Sequence, residues 1–108
     1  MATSMTTAVP DQQVESVTRT APHWHVVLLN DDDHTYEYVI EMLMKLFGHP
    51  AEDAFRMACE VDRAGRVVVD TTSRERAELK QEQIHAYGRD WRLARSAGSM
   101  SAEIEPAE

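Results

Sequence analysis

The chain has little cysteine, few aromatic residues and no long apolar run, and each shortage excludes a class of protein. A single Cys59 cannot form an internal disulfide. No apolar stretch approaches the roughly 20 residues that cross a bilayer. The first residues lack a basic stretch followed by an apolar segment, so no secretory signal is expected and a reducing cytoplasm is the predicted compartment. With two Trp, three Tyr and two Phe, the core must be mainly aliphatic.

Basic residues are also scarce, with 11 Lys and Arg against 19 Asp and Glu and a net charge of −8. Such a chain is repelled at long range by nucleic acid and by anionic membranes, so neither is an expected partner. A basic surface or a cationic ligand fits better. At 108 residues and 43% hydrophobic content, the chain can build one small core but not two.

Composition divides the chain into three parts. Residues 1–21 show no sustained hydrophobic period and are predicted to form a flexible N-terminal arm. Residues 22–90 carry the periodic patterns of a folded core. Residues 91–108 form a C-terminal segment. In it, polar and apolar residues alternate from Ser99 to Ile104, which indicates a possible last strand. No internal repeat is present.

Within the core, the patterns predict strand, helix, helix, strand and helix. An apolar strand at 24–29 leads to a first helix, capped by Asp33 or Thr35, whose apolar residues recur at helical spacing: Tyr36, Val39, Ile40, Leu43 and Phe47. Gly48 and Pro50 separate it from a second helix predicted to bury one apolar face: Ala51, Ala54, Phe55, Ala58 and Cys59.

A turn at Asp62 to Gly65 and a buried strand at Val67 to Val69 follow the second helix. A capping box from Thr72 to Glu75 opens a third helix that runs to about Tyr87 and ends at Gly88. The order of elements predicts an α/β sandwich, in which helices cover one face of a small sheet.

The junction between the first strand and the residues after it is the most informative feature. Four polar side chains follow the apolar run directly, namely Asn30, Asp31, Asp32 and Asp33. A buried strand fixes their backbone while the side chains emerge at its end, an arrangement suited to holding a cation. The alternative is a solvated turn that begins a helix, where acids are favoured by the macrodipole.

A metal-dependent hydrolase is a rival hypothesis from these residues. His23 and His25 alternate onto one side of the predicted strand, and Asp31 to Asp33 with His34 could complete a divalent metal site. Solvated histidines at a strand end are the simpler interpretation. The acidic run does not fit an EF-hand loop, because Tyr36 stands where the glycine of the sharp turn is required.

An ordered set of motifs resembles the ClpS family of Clp protease adaptors. It comprises Leu28 to Asp32, Glu37-Tyr38-Val39, Ala54 to Val61, Gly65-Arg66, and Ala77 to Lys80. The resemblance covers roughly residues 24–90. It implies an α+β fold with a small antiparallel three-stranded sheet and three helices packed on it. It also implies a non-enzymatic adaptor that binds the N-terminal residue (N-degron) of substrate proteins and delivers them to an ATP-dependent Clp unfoldase.

The resemblance also implies where a free N-terminus would bind. An α-ammonium has three N–H donors and one positive charge, so its recognition needs about three acceptors, preferably including a carboxylate. Asn30 and Asp31 match two family positions that supply this cup. The third position, a histidine in the family, is Asp62 here.

A second implied site is the pocket for the first side chain of the substrate. Tyr36 and Ala58 occupy positions usually filled by Met, and His34-Thr35 replaces a Thr-Pro pair. A smaller Ala58 enlarges the pocket and a larger Tyr36 narrows its mouth, while a large apolar first residue is still expected. The residues implied to form the pocket are His34, Tyr36, Val39, Ala58 and Val61.

The unfoldase-facing surface implied by the resemblance contains Glu75, Glu78 and Lys80 on the third helix. The expected partners are the N-terminal domain of a ClpA- or ClpC-like unfoldase and proteins or peptides with a free, bulky N-terminal residue. The chain is expected to be a monomer without cofactor or bound metal. Asp62 keeps open a third hypothesis, namely a regulator that docks on the unfoldase without capturing N-terminal residues.

Overall fold

The computed structural model of the chain describes residues 22–108. Its elements follow the predicted order, including the last strand, and the predicted arm at 1–21 lies outside the described residues. They are β1 (Trp24–Leu29), α1 (Tyr36–Phe47), α2 (Ala51–Ala64), β2 (Arg66–Thr72), α3 (Arg74–His85) and β3 (Ser101–Pro106). No helix in the described range is long and apolar enough to cross a membrane.

The strands form an antiparallel sheet in the order β2-β1-β3. The central position of β1 explains its unbroken apolar sequence, because Val26, Val27 and Leu28 are each 0% exposed. Leu29 pairs with Arg66 on one side and Ser101 on the other. The polar residues that follow Leu29 therefore emerge beside the first residues of both edge strands.

Of the two N-caps predicted for helix α1, Asp33 and Thr35, the structure has Thr35. The Thr35 hydroxyl accepts a hydrogen bond from the Tyr38 backbone N–H at 3.2 Å. The helix ends at Gly48, whose φ of 73° lies in the left-handed region that glycine adopts without strain. It buries one stripe of side chains, namely Tyr38, Val39, Met42 and Leu43.

Helix α2 buries a narrower stripe than predicted, consisting of Ala54, Ala58 and Val61. The predicted burial of Phe55 is wrong, since this residue is 50% exposed. The predicted burial of Ala51 is also wrong, and Cys59 is only partly buried. Because small alanines face the sheet and α1, the helix packs closely and its larger side chains lie at the edge of the contact. Pro50 is the N-cap of this helix.

The boundaries of the last elements also differ from the predicted ones. Ser73, not Thr72, caps α3 and accepts from the Arg76 N–H at 3.2 Å, because Thr72 is still paired with Trp24 in the sheet. The helix ends at His85, two residues earlier than predicted. Strand β3 runs through Pro106, which an edge strand tolerates.

Candidate amine-binding site

The end of β1 is joined directly to the end of α2. The Asn30 backbone N–H donates to the Gly65 carbonyl at 3.0 Å. Gly65 ends α2 with a φ of 88°, and its own N–H donates to the Val61 carbonyl at 3.0 Å. The left-handed glycine therefore places the last turn of α2, which carries Asp62, next to the polar residues that follow β1.

The Asp31 carboxylate is held through one of its oxygens. Its Oδ1 accepts from the Asp33 backbone N–H at 2.9 Å and contacts the His34 Nδ1 at 2.7 Å. Within residues 22–108, both hydrogen bonds of this side chain fall on Oδ1. Oδ2 can accept a further hydrogen bond, and the side chain is 35% exposed.

The Asp62 carboxylate is also held through one of its oxygens. The Tyr36 hydroxyl donates to Asp62 Oδ2 at 2.7 Å, which links α1 to α2. This hydrogen bond, together with partial burial and the negative charge of Asp62, raises the pKa of Tyr36 to about 12. The phenol thus stays a donor at neutral pH, and Asp62 is exposed, with no hydrogen bond to its Oδ1 from residues 22–108.

The predicted pocket residues fall into two groups. Val39, Ala58 and Val61 are buried, at 4%, 1% and 2% exposure, and each lies within about one helical turn of Tyr36 or Asp62. Tyr36 is 38% exposed. His34 has a side chain only 3% exposed, and its Nε2 is 2.7 Å from the Gly98 carbonyl oxygen.

Phe55 is a neighbour of this site that the sequence interpretation missed. Its ring centroid lies 6.3 Å from that of Tyr36, so two exposed aromatic rings stand side by side on α1 and α2. The helical spacing could have identified Phe55, because it precedes Asp62 by seven residues and so lies on the same side of the helix. It was outweighed by the assumption that a large apolar side chain belongs to the core.

A second group that sequence reasoning missed is Asp90, which is 0% exposed. Its Oδ2 accepts from the Thr35 N–H at 2.6 Å and the Thr35 hydroxyl at 2.8 Å, and Oδ1 accepts from the Arg92 N–H at 3.0 Å. Burial alone would raise the pKa of this carboxyl, but the hydrogen bonds outweigh it and lower the pKa to about 2. Nothing in the local sequence marks Asp90 as different from a loop acid.

Asp90 belongs to the segment from Arg89 to Gly98, which we call the strap. It returns after α3 and crosses the loop between β1 and α1. Arg95 donates from Nε to the Asp32 carbonyl at 3.0 Å and to the Asp33 carboxylate at 3.2 Å. The strap is closed on itself by the Ser96 hydroxyl, which accepts from the Asp90 N–H at 2.8 Å. It therefore forms an ordered part of the structure around the loop.

The residues predicted to face the unfoldase lie in different environments. Glu75 and Glu78 are exposed on α3, and Glu78 pairs with Arg74 at 3.2 Å. Lys80 is only 8% exposed. Its Nζ donates to the Leu46 carbonyl at the end of α1 and lies 5.3 Å from the centre of the Phe47 ring.

The metal-site hypothesis gains no support from the geometry. Residues 22–108 bring no three His, Cys, Asp or Glu side chains together in a position to hold a metal ion. The His25 Nδ1 lies 2.8 Å from the Thr71 hydroxyl near the start of β1, whereas His34 pairs with Asp31 beyond its end. The length of β1 separates the two histidines.

A cavity of about 540 Å³ lies away from these residues, along α2 and the beginning of β2. Its lining contains none of Asn30, Asp31, Tyr36 and Asp62. Two of its charged side chains, Asp53 and Arg56, form an ion pair with each other. The carboxylates at the end of β1 and α2 therefore remain the better candidate for a ligand site.

A three-stranded antiparallel sheet with three helices, and side-chain acceptors where its central strand ends, define a small ligand-binding domain. Residues 19–92 match the family model of the ATP-dependent Clp protease adaptor protein ClpS. The chain is 39% identical over 75 residues to the adapter protein ClpS of Nautilia profundicola, covering 69% of this chain and 71% of that protein. It is 30% identical over 89 residues to the ClpS of Synechocystis, covering 82% and 91%.

A solved structure has the same fold, that of Agrobacterium tumefaciens ClpS2 bound to L-phenylalaninamide. The TM-score is 0.68 at 27% sequence identity, covering 80% of this chain and 98% of that one. The chain therefore belongs to the ClpS family of ATP-dependent Clp protease adaptors, which confirms the family and the fold predicted from the sequence.

Proposed function

We propose that this chain is a Clp protease adaptor that captures proteins by their free N-terminal residue and presents them to an ATP-dependent Clp unfoldase. The observation that carries this proposal is the pair of carboxylates, Asp31 and Asp62, each held through one oxygen where β1 and α2 end. The ligand of the A. tumefaciens ClpS2 structure, L-phenylalaninamide, presents a free α-amine and a bulky apolar side chain.

The acceptors match the donors of an N-terminal ammonium group. Asn30 and Asp62 are exposed and Asp31 is partly exposed, so all three side chains are open to a ligand. The Asn30 amide oxygen and the free oxygens of Asp31 and Asp62 would together supply three acceptors for three N–H donors. Two carboxylates also attract the positive charge, and charge-assisted hydrogen bonds are the stronger kind.

The first side chain of the substrate would enter between α1 and α2. The buried side chains of Val39, Ala58 and Val61 would supply an apolar floor, and the exposed rings of Tyr36 and Phe55 would supply a rim. Apolar lining with few polar groups favours a large apolar first residue. We further propose that the chain is a binding protein that uses no metal, cofactor or catalytic group, and that it acts in the cytoplasm as a monomer.

Docking to the unfoldase would use the exposed acids Glu75 and Glu78 on α3. Lys80 would contribute through the fold rather than through direct contact, because its ammonium group caps the carbonyl end of α1. Charge reversal of both acids to Lys should therefore weaken binding to a ClpA- or ClpC-like N-terminal domain and leave peptide affinity unchanged. Lys80→Met should weaken docking and also lower the urea concentration at the unfolding midpoint. The variant with both acids changed to Lys should leave that midpoint unchanged.

The second candidate function is a regulator that occupies the unfoldase without capturing N-terminal residues. It is favoured by one observation, the Tyr36 hydroxyl that already occupies an oxygen of Asp62. This candidate predicts docking on the unfoldase without affinity for any N-terminal residue. Peptide binding separates it from the adaptor.

The experiment is fluorescence-polarisation binding to peptides that differ only in the first residue: Leu, Phe, Tyr, Trp, Arg or Ala. Each peptide is measured with a free and with an acetylated N-terminus. Selective binding that acetylation abolishes is the expected result. Asn30→Ala and Asp31→Ala should each weaken it on the order of 100-fold, because a charged donor loses its partner.

The matched control is Asp53→Ala, which removes an acid of the exposed pair with Arg56 on α2 and should leave peptide affinity unchanged. Unchanged affinity in both Asn30→Ala and Asp31→Ala would contradict the proposed site. Docking on the unfoldase without binding of any peptide would support the regulator instead.

A further inference from the structure

One arginine of the strap holds the acidic loop after β1. Arg95 donates from Nε to the Asp32 backbone carbonyl at 3.0 Å, and its Nη2 donates to the same carbonyl oxygen. The Nε also lies 3.2 Å from the Asp33 carboxylate. A single guanidinium therefore binds both the backbone and a side chain of the loop, which the fixed fork of its N–H donors makes possible.

The backbone that carries Arg95 is fixed within the strap. Before it, the Leu93 N–H donates to the Asp90 carbonyl at 3.1 Å. After it, the Ser96 N–H donates to the Leu93 carbonyl at 3.1 Å, and the Ser96 hydroxyl accepts from the Asp90 N–H at 2.8 Å. The buried Asp90 carboxylate in turn binds Thr35 at the start of α1. The fold thus sets the position from which the Arg95 side chain reaches the loop.

The carbonyl that Arg95 binds belongs to the peptide group that holds the proposed amine-binding carboxylate. The peptide group between Asp32 and Asp33 contributes the Asp32 oxygen to Arg95 and the Asp33 N–H to Asp31 Oδ1, at 2.9 Å. Because a peptide group is planar, fixing its oxygen also fixes the direction of its N–H. A donor on the oxygen also polarises the group and strengthens the hydrogen bond that the N–H makes.

We infer that Arg95 is a positioning residue for amine capture: it fixes the peptide group between Asp32 and Asp33, and that group fixes Asp31 with Oδ2 facing the ligand. This inference rests on the proposed function. The family model matches residues 19–92, so Arg95 lies beyond the matched range.

Charge and geometry predict opposite effects of removing the Arg95 guanidinium. A positive charge near the site repels the ammonium group of the ligand, so loss of the charge alone would strengthen binding. Loss of the fixed peptide group leaves the Asp31 carboxylate less well oriented before the ligand arrives, which weakens binding. The direction of the change in affinity therefore separates the two effects.

The test compares the affinity of the wild-type chain and of Arg95→Met for a peptide with a free N-terminal Phe, at one pH and one salt concentration. Met keeps an unbranched apolar side chain and removes every donor. Binding should weaken on the order of 5-fold. The loss should be smaller than in Asp31→Ala, because the His34 Nδ1 still contacts Asp31 Oδ1 at 2.7 Å. Unchanged or tighter binding would overturn the inference.

The matched control is Arg66→Met, which removes another exposed arginine close to the site. Arg66 pairs in the sheet with Leu29, the residue before Asn30, and forms an ion pair with Glu105 at 2.8 Å. This variant loses the same charge without releasing the loop, so it should bind as tightly as the wild type or more tightly. Equal weakening in both variants would overturn the inference, because loss of any nearby arginine would then suffice.

An NMR measurement without peptide separates this inference from the proposed function. It follows the exchange with water of the Asp33 N–H, which is 62 positions away from the substituted residue. In Arg95→Met this exchange should be faster on the order of 5-fold. The Val39 N–H, which donates to the Thr35 carbonyl at 3.2 Å in the first turn of α1, should keep its rate.

An unchanged rate for the Asp33 N–H would overturn the inference, and so would equal acceleration of the Asp33 and Val39 amides, since the substitution would then loosen the fold as a whole. If the wild-type chain binds no peptide, the proposed function fails. The exchange rates then still decide whether Arg95 fixes the peptide group that holds Asp31.

Discussion

The two carboxylates of the candidate site lie on two parts of the structure that differ in burial. We call them the loop wall, which carries Asp31, and the helix wall, which carries Asp62. Asp31 lies on the loop wall, where His34 has a side chain 3% exposed and Asp90, bonded to Thr35, is 0% exposed. Asp62 lies on the helix wall, where its one hydrogen bond in the described chain comes from Tyr36, a residue 38% exposed. One wall is anchored by buried polar groups and the other by a contact open to water.

This difference indicates which wall changes more easily. A buried polar network is costly to disturb, because each broken contact leaves a desolvated group without a partner. An exposed hydrogen bond competes with water and contributes little to stability. We therefore expect the loop wall to be formed before a ligand binds, and we expect changes in the helix wall to alter the choice of first residue at low cost to the stability of the fold.

The largest expected effect is on the loop wall, in Asp90→Ala. The change leaves the Thr35 N–H and the Arg92 guanidinium without their buried acceptor. We expect the free energy of unfolding, measured by urea denaturation, to fall by about 3 kcal/mol. Peptide affinity should fall as well, because Thr35 caps the helix that carries Tyr36.

The control for Asp90→Ala is Glu105→Ala, which removes another acid from an ion pair with arginine. Glu105 is 39% exposed and bonds to Arg66 at 2.8 Å. Its loss should change the unfolding free energy by less than about 1 kcal/mol. Equal costs for the two variants would show that burial does not distinguish them and would remove the basis of the comparison.

A smaller effect is expected from acid. The pKa of Asp90 is about 2 in the folded chain against a usual value of 3.8. Its stabilising contribution is therefore complete above the usual value and is lost as the pH falls through about 2, a difference of about 2 kcal/mol. Asp90→Asn does not titrate, so the stability gap between wild type and this variant should narrow from pH 4 towards pH 2. A gap that stays constant over that interval would contradict the assigned hydrogen bonds.

The helix wall and the sheet were largely predictable, because their residues sit in regular elements with a clear period. The apolar run before Asn30 predicted a buried strand, which is confirmed, and Thr35 is the N-cap of α1 out of the two candidates that the sequence offered. Phe55 was misplaced, because helical spacing identifies the sides of a helix without telling which of two adjacent apolar stripes is covered.

The loop wall could not be predicted, because its contacts join residues far apart in the chain. Asp90 reaches Thr35 across 55 positions, and Gly98 reaches His34 across 64. Neither the strap nor the loop has a repeating hydrophobic pattern, and the sequence alone does not distinguish a buried aspartate from an exposed one. The resemblance placed His34 in the side-chain pocket, whereas the structure turns its ring towards Asp31 and the strap. A contact with the substrate side chain stays a prediction.

The smallest effect on stability is expected on the helix wall, in Tyr36→Phe. The change keeps the ring beside Phe55 and removes only the donor to Asp62. The unfolding free energy should change by less than about 1 kcal/mol, because the bond is open to solvent. Selectivity among first residues should shift, since the Asp62 side chain is then free to rotate at the mouth of the proposed pocket.

Tyr87→Phe is the control, because the Tyr87 hydroxyl makes no hydrogen bond within residues 22–108 and its ring packs on Tyr38, away from Asp62. A stability loss in Tyr36→Phe as large as that in Asp90→Ala, with selectivity unchanged, would mean that the helix wall is as rigid as the loop wall.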